Sequence, residues 1–195
     1  MNWKTLLFAA LIGFGLYQHL QHRPVDPGPG VLAPSPPEQA DERIADFPFK
    51  GYTLQPLQNF QLEARVLASE RYRTGREADL SPVDLALGWG PMSDSAVLAK
   101  VRISQSGRFY YWHVDEFPIP RRDIERSSAN MHMIPANDTL ARRIKSLREG
   151  QIVRIEGWLV EARGGDGWRW RSSLTRDDTG PGACEVVFVR DLQVR

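Results

Sequence analysis

Four histidines, one cysteine and a scatter of acids are the groups in this 195-residue chain that could do chemistry. Zinc sites need donors at short fixed spacings, C-x-x-C or H-E-x-x-H, because a tetrahedral ion takes its ligands from one turn or one helix face. Neither spacing occurs, so no metal and no cofactor is expected. A nucleophilic cysteine needs an electropositive, partly open setting that lowers its pKa. Cys184 instead opens the apolar run 184–194, where a thiol reads as a small buried hydrophobe. His113 follows the aromatic run Phe109-Tyr110-Tyr111-Trp112 and reads as a strand residue. His132, between Met131 and Met133, reads as a loop residue, and loops over rigid scaffolds carry sites. With Asp94, Arg176, Asp177 and Asp178 it makes the candidate ligand-binding set, on a surface formed by residues 88–94, 130–135 and 176–185. Whether that set binds or catalyses is left open by the residues; as a hydrolase it would work around His132, Arg176 and Asp177.

Aromatic and basic residues interleave at Trp168-Arg169-Trp170-Arg171, which raises nucleic acid, since stacking aromatics in a positive groove bind single strands. The period of a strand separates them: both tryptophans fall on one face and both arginines on the other. Asp177 and Asp178 beside Arg176 repel phosphate, and a net charge of +1 gives no general pull toward polyanions. The short Gly88-Trp89-Gly90-Pro91 ends in a residue without an N–H, so it makes no phosphate cradle. No nucleic-acid partner is expected.

The elements that must position these groups are mostly strands. Residues 151–163 alternate apolar and polar at period 2, and the glycine-rich turn at 164–167 returns the chain into a second alternating run, 168–175. Residues 184–194 are apolar on both faces, as a central strand requires. Residues 60–68 alternate cleanly, with Phe60, Leu62, Ala64 and Val66 on one side. A hairpin is expected over 97–105 and 108–114 around Ser106-Gly107. Residues 70–79 read as a loop and Ser81-Pro82 as a short helix start, although Val83, Leu85 and Leu87 also fit a strand. Residues 117–136, punctuated by prolines, read as a long loop. Asn137 caps one convincing helix, with Leu140, Ile144 and Leu147 on its apolar face and Gly150 as its stop.

Residues 3–20 carry a dense apolar run with Lys4 ahead of it. About 18 residues at ~1.5 Å rise reach ~27 Å, so the expectation is an uncleaved signal-anchor helix over residues 1–23. Residues 24–46 are a proline-rich linker, able to extend ~70 Å at ~3.1 Å per residue. The globular body is 47–195. With Lys4 on the inner side, the body is expected in the periplasm of a bacterial envelope, anchored in the inner membrane, with an envelope protein or glycan as partner. The single cysteine excludes an intrachain disulfide.

Taken together these elements predict a mainly β, β-rich α+β fold: a small antiparallel barrel or sandwich with one main helix. A helix feeding Gly150, Val153, Ile155 and Gly157 and then a hairpin is similar to the OB-fold, in which that glycine permits a sharp strand bend. Residues 87–94, 128–138 and 168–180 resemble segments of an uncharacterised family of bacterial membrane-anchored proteins; the likeness covers most of the body and implies no activity. The function expected is a membrane-tethered binding or scaffolding module.

Overall fold

The computed structural model describes residues 2–21, 23–175, 180 and 182–195. Arg176, Asp177 and Asp178 of the candidate set lie outside the described residues. The chain opens with helix α1 (Trp3–Gln21) and then is mainly β: β1 (Glu38–Ala40), β2 (Phe47–Phe49), β3 (Tyr52–Arg71), α2 (Arg76–Leu80) and β4 (Val83–Gly88). A 3-10 turn (Gly90–Ser93), α3 (Ser95–Leu98), β5 (Arg102–Ser106), β6 (Phe109–His113), α4 (Arg121–Arg126) and β7 (Ser128–Pro135) follow. Helix α5 (Asp138–Lys145), β8 (Ile152–Arg163), β9 (Arg169–Arg171) and β10 (Glu185–Val194) complete it.

Five strands close a ring. β3 pairs with β4, β4 with β7, β7 with β10, β10 with β8, and β8 with β3 again. All these pairings are antiparallel except β7 with β10, which run parallel. β3 makes closure possible because it is 20 residues long and serves two neighbours. Residues 53–65 lie against β8 and residues 65–71 against β4, with irregularities at Pro56/Gln58 and Val66/Ala68 that bend the strand. The alternation read over 60–68 is the middle of this strand. Phe60, Leu62, Ala64 and Val66 point into the ring with Val83, Leu85, Leu87, Met131 and Met133. Helix α5 stops one end of the ring with Leu140, Ile144 and Leu147. Its cap is as expected: the Asn137 carboxamide oxygen accepts the Leu140 N–H at 2.9 Å.

Several expectations change. Residues 70–79 are not one loop, since β3 runs to Arg71 and α2 begins at Arg76. Ser81-Pro82 opens no helix; a strand follows, because Val83, Leu85 and Leu87 fill the ring. The long loop over 117–136 is instead α4 and β7, and β7 is buried along almost its whole length. The second alternating run shortens to β9, which among the described residues pairs with residues 161–163 of β8.

The N-terminal anchor is also corrected: among the described residues no helix is long and apolar enough to cross a membrane. Helix α1 has 19 residues, but Lys4 at one end and Gln18, His19 and Gln21 at the other confine its apolar run to residues 6–16. That is about 16 Å at 1.5 Å per residue, half a hydrocarbon core. The described side chains of α1, through Gly15, are all exposed. Beyond it, part of the proline-rich stretch lies along the body. The Val25 N–H donates to the Glu149 carbonyl at 2.8 Å, and Ala33 is fully buried, its N–H on Ser93 Oγ.

Candidate functional site

In β4 and β7 the inward residues fix what faces out. With Val83, Leu85 and Leu87 inside, Asp84 and Ala86 point outward; with Met131 and Met133 inside, Ser128, Asn130 and His132 do. That outer face is not open. The β5–β6 hairpin lies across it, packing Ile103, Tyr110 and Trp112 against Ala86, Met92 and Ile124. Its loop is Gly107-Arg108, with φ of 59° and 72°, the left-handed pair of a two-residue hairpin turn.

Arg108 is not a glycine, so this conformation costs about 1 kcal/mol or more and persists only where the surroundings over-determine it. They do. Its N–H donates to Tyr72 Oη at 2.9 Å, and its carbonyl accepts from Asn130 Nδ2 at 3.0 Å. The guanidinium reaches Asp84 Oδ1 at 2.7 Å and the Ser81 carbonyl at 3.0 Å, and lies 3.8 Å from the Tyr72 ring centroid. Gln105 Nε2 adds a 2.7 Å bond to Asn130 Oδ1.

Asp84 is the centre of this latch. Its side chain is 1% exposed, and a buried carboxylate without a cation would be very costly. His132 Nδ1 approaches the same oxygen at 3.0 Å without the alignment of a hydrogen bond, and the Trp170 ring covers the imidazole at 4.8 Å between centroids. His132 is therefore a buried strand residue, not the loop residue its proline-punctuated sequence suggests. With 5% of its side chain exposed it has no access for proton transfer to a substrate.

Beside the hairpin is a cavity of about 560 Å³. β6 forms one wall, with Tyr111, Trp112 and His113; the floor is Ser128–Asn130 of β7; α4 gives Arg121 and Glu125; Thr175, Gly180 and residues 183–185 close the far side. Trp112 and Phe117 meet edge to face at 6.1 Å. Tyr110 Oη and Ser128 Oγ share a 3.0 Å hydrogen bond, and burial pushes the phenol above its ordinary range, so it stays a hydroxyl at neutral pH. Arg121 is bonded to Glu125 at 2.8 Å. The lining is thus aromatic rings with a few placed polar groups, the usual make-up of a small ligand site.

Of the candidate set, Asp94 and His132 are not brought together. Asp94 caps α3 by accepting the Ala96 N–H at 2.8 Å, beyond the Gly88 end of β4. His132 pairs with Asp84 near the other end of that strand, some 13 Å away at ~3.4 Å per residue. Cys184, expected to be buried, is partly exposed on the cavity wall with Sγ 3.9 Å from the Arg108 carbonyl. The arginines of β9 are committed: Arg169 Nε and Arg171 Nη1 each lie 2.7 Å from Glu161, whose carboxylate burial would push up and these two bonds hold below its ordinary range. Asp84, Arg108 and Tyr72 carry no role in the sequence reading, and Asn130 enters it only as the start of the 130–135 surface. The available signal was the lone acid in Val83-Asp84-Leu85-Ala86-Leu87, which as a strand demands a cation across from it. Comparison with family models, with curated proteins and with solved structures finds no match to this chain.

Proposed function

We propose that the protein is a ligand-binding module of the cell envelope, built on an OB-type barrel and held at a membrane by α1. The barrel assignment is supported by the strand order, by the parallel β7–β10 closure and by α5 lying between β7 and β8. In that architecture the face of the second and third strands, here β4 and β7, takes the ligand. Most of that face is occupied by the chain's own hairpin, latched through Arg108 and Asp84. What remains open is the cavity beside β6, and this observation carries the proposal. Nucleic acid is disfavoured, because Arg108, Arg121, Arg169 and Arg171 are each bonded to a carboxylate within the chain. The hydrolase reading rests on His132 beside Arg176 and Asp177, and of these three the described one, His132, is buried against Asp84. A screen of small aromatic and polar fragments by NMR on the labelled protein tests the site. Shifts should concentrate at Tyr111, Trp112 and Ala129 and vanish in Ala183→Trp, which fills the cavity; shifts only elsewhere overturn it.

The tether is proposed from exposure: Leu6, Leu7, Phe8, Leu11, Ile12 and Phe14 are all exposed. At ~25 cal/mol per Å² such a surface is strongly favoured inside lipid even without spanning it. The full chain should float with phosphatidylcholine–phosphatidylglycerol vesicles, and a chain beginning at Pro24 should stay behind; flotation of both would remove α1 from the role. The run of residues 6–16 also has the length of the apolar core of an export segment, with Lys4 ahead of it. A body outside the inner membrane follows from that reading. Alkaline phosphatase fused after Arg195 should be active in cells and a cytoplasm-dependent fluorescent fusion dark; the reverse pair of results places the body inside.

A further inference from the structure

We propose that the ligand of this cavity is an extended polypeptide segment, taken up as a third strand along the outer edge of β6. The proposal rests on the cavity being the ligand site. The two-residue loop fixes which main-chain groups of the hairpin are already engaged. With both loop residues at positive φ, Ser106 and Phe109 form the hydrogen-bonded pair that closes the turn. Antiparallel pairs alternate, so Ser104–Tyr111 and Arg102–His113 are the other bonded pairs. Gln105–Tyr110 and Ile103–Trp112 are the non-bonded pairs, whose N–H and C=O groups point away from the partner strand.

For Tyr110 and Trp112, away from β5 is toward the cavity that both residues line. Among the described residues β6 pairs with β5 alone, and no main-chain hydrogen bond joins Tyr110 or Trp112 to any other segment. Two donors and two acceptors therefore repeat along this edge at about 6.8 Å, the two-residue rise of a strand. An extended main chain carries the complementary groups at that same repeat, which a compact aromatic or a sugar does not. The cavity holds the space of the missing neighbour. It has β7 as floor and α4 with residues 183–185 opposite, and strand addition needs only about 4.8 Å beside β6. A second copy would bring its own β5 and barrel with its β6 and meet those walls, so a lone strand from a partner is the occupant that fits. Its alternate side chains would lie against Trp112 and Phe117 on one face and beside exposed Tyr111 on the other, which suits a segment with apolar residues at every second position.

The full chain is panned with phage-displayed random heptapeptides, and the tightest binder is remade with each amide N-methylated in turn. Pairing along β6 predicts two results: slowed hydrogen exchange at the Tyr110 and Trp112 amides, and an affinity loss of about tenfold or more at alternate peptide positions only. A peptide that shifts cavity resonances but shows no alternation binds through its side chains and overturns strand pairing, leaving the cavity reading intact. Fragments in the cavity with no peptide selected overturn the peptide class alone. Protection of the Trp112 amide in a sedimenting dimer without peptide overturns the partner strand in favour of a second copy. If neither fragment nor peptide reaches the cavity, both readings fall.

Discussion

Asp84→Ala will lower the stability of the body by about 3–5 kcal/mol, the range for removing one partner of a buried ion pair. The reason is what is left behind. The Arg108 guanidinium, 19% exposed, loses its 2.7 Å carboxylate while its main chain remains in the left-handed region. Among the described residues its other hydrogen-bond partners, Tyr72, Ser81 and Asn130, supply only neutral groups. Chemical denaturation measures the loss, and hydrogen exchange locates it, because β5 and β6 should open before the ring does. Arg108→Ala in the same background should cost much less than in the wild type, since its partner is already gone; a coupling of about 0.5–3 kcal/mol in the double cycle is expected. Additive losses, or an Asp84→Ala variant that melts within about 1 kcal/mol of wild type, would show that packing of Ile103, Tyr110 and Trp112 alone holds the hairpin down.

What the sequence made legible follows from which contacts are local. The α5 cap depends on Asn137 and Leu140 three residues apart, and it stands as read. The β8 strand and the second hairpin strand are also set by neighbouring residues and lie within a residue of their expected bounds, while the first hairpin strand begins only at Arg102, because Val97 and Leu98 belong to α3. β7 was hidden although its period is present: Ala129, Met131 and Met133 alternate with Ser128, Asn130 and His132. Its polar side is buried under a hairpin from elsewhere in the chain, so that side carries hydrogen-bonding residues where a solvent face would carry charges. The same long-range cover concealed the latch. Arg108 and Asp84 are separated by 24 residues, and their meeting depends on the 3-10 turn and α3 that lead into β5. Helix α1 misled for a different reason: its length fits a bilayer and its apolar run does not, and length is the easier quantity to read from a sequence.

The second large effect is expected at Gly157. Gly157→Ala should destabilise the fold by about 3 kcal/mol or more, the upper end of what one added methyl costs in a packed interior. Gly157 lies in β8, paired on one side with Phe60 of β3 and on the other with Val189 of β10. A Cβ there would stand 2.0 Å from the Phe188 carbonyl oxygen and 3.0 Å from its carbon, both main-chain atoms. A flexible side chain could turn aside; this backbone cannot, because residues 187–189 are held by β7 on their other edge. The close approach also lies beside the irregularity between Val189 and Asp191, where β10 bends to follow the ring. The methyl therefore sets ring closure against main-chain overlap, and the strands must separate locally. Gly165→Ala is the control, since that position in the β8–β9 turn has open space around it and no positive φ, and its melt should stay within about 0.5 kcal/mol of wild type. Equal melts for the two variants would mean that β8 and β10 stand apart at Gly157 and that the sheet is open there.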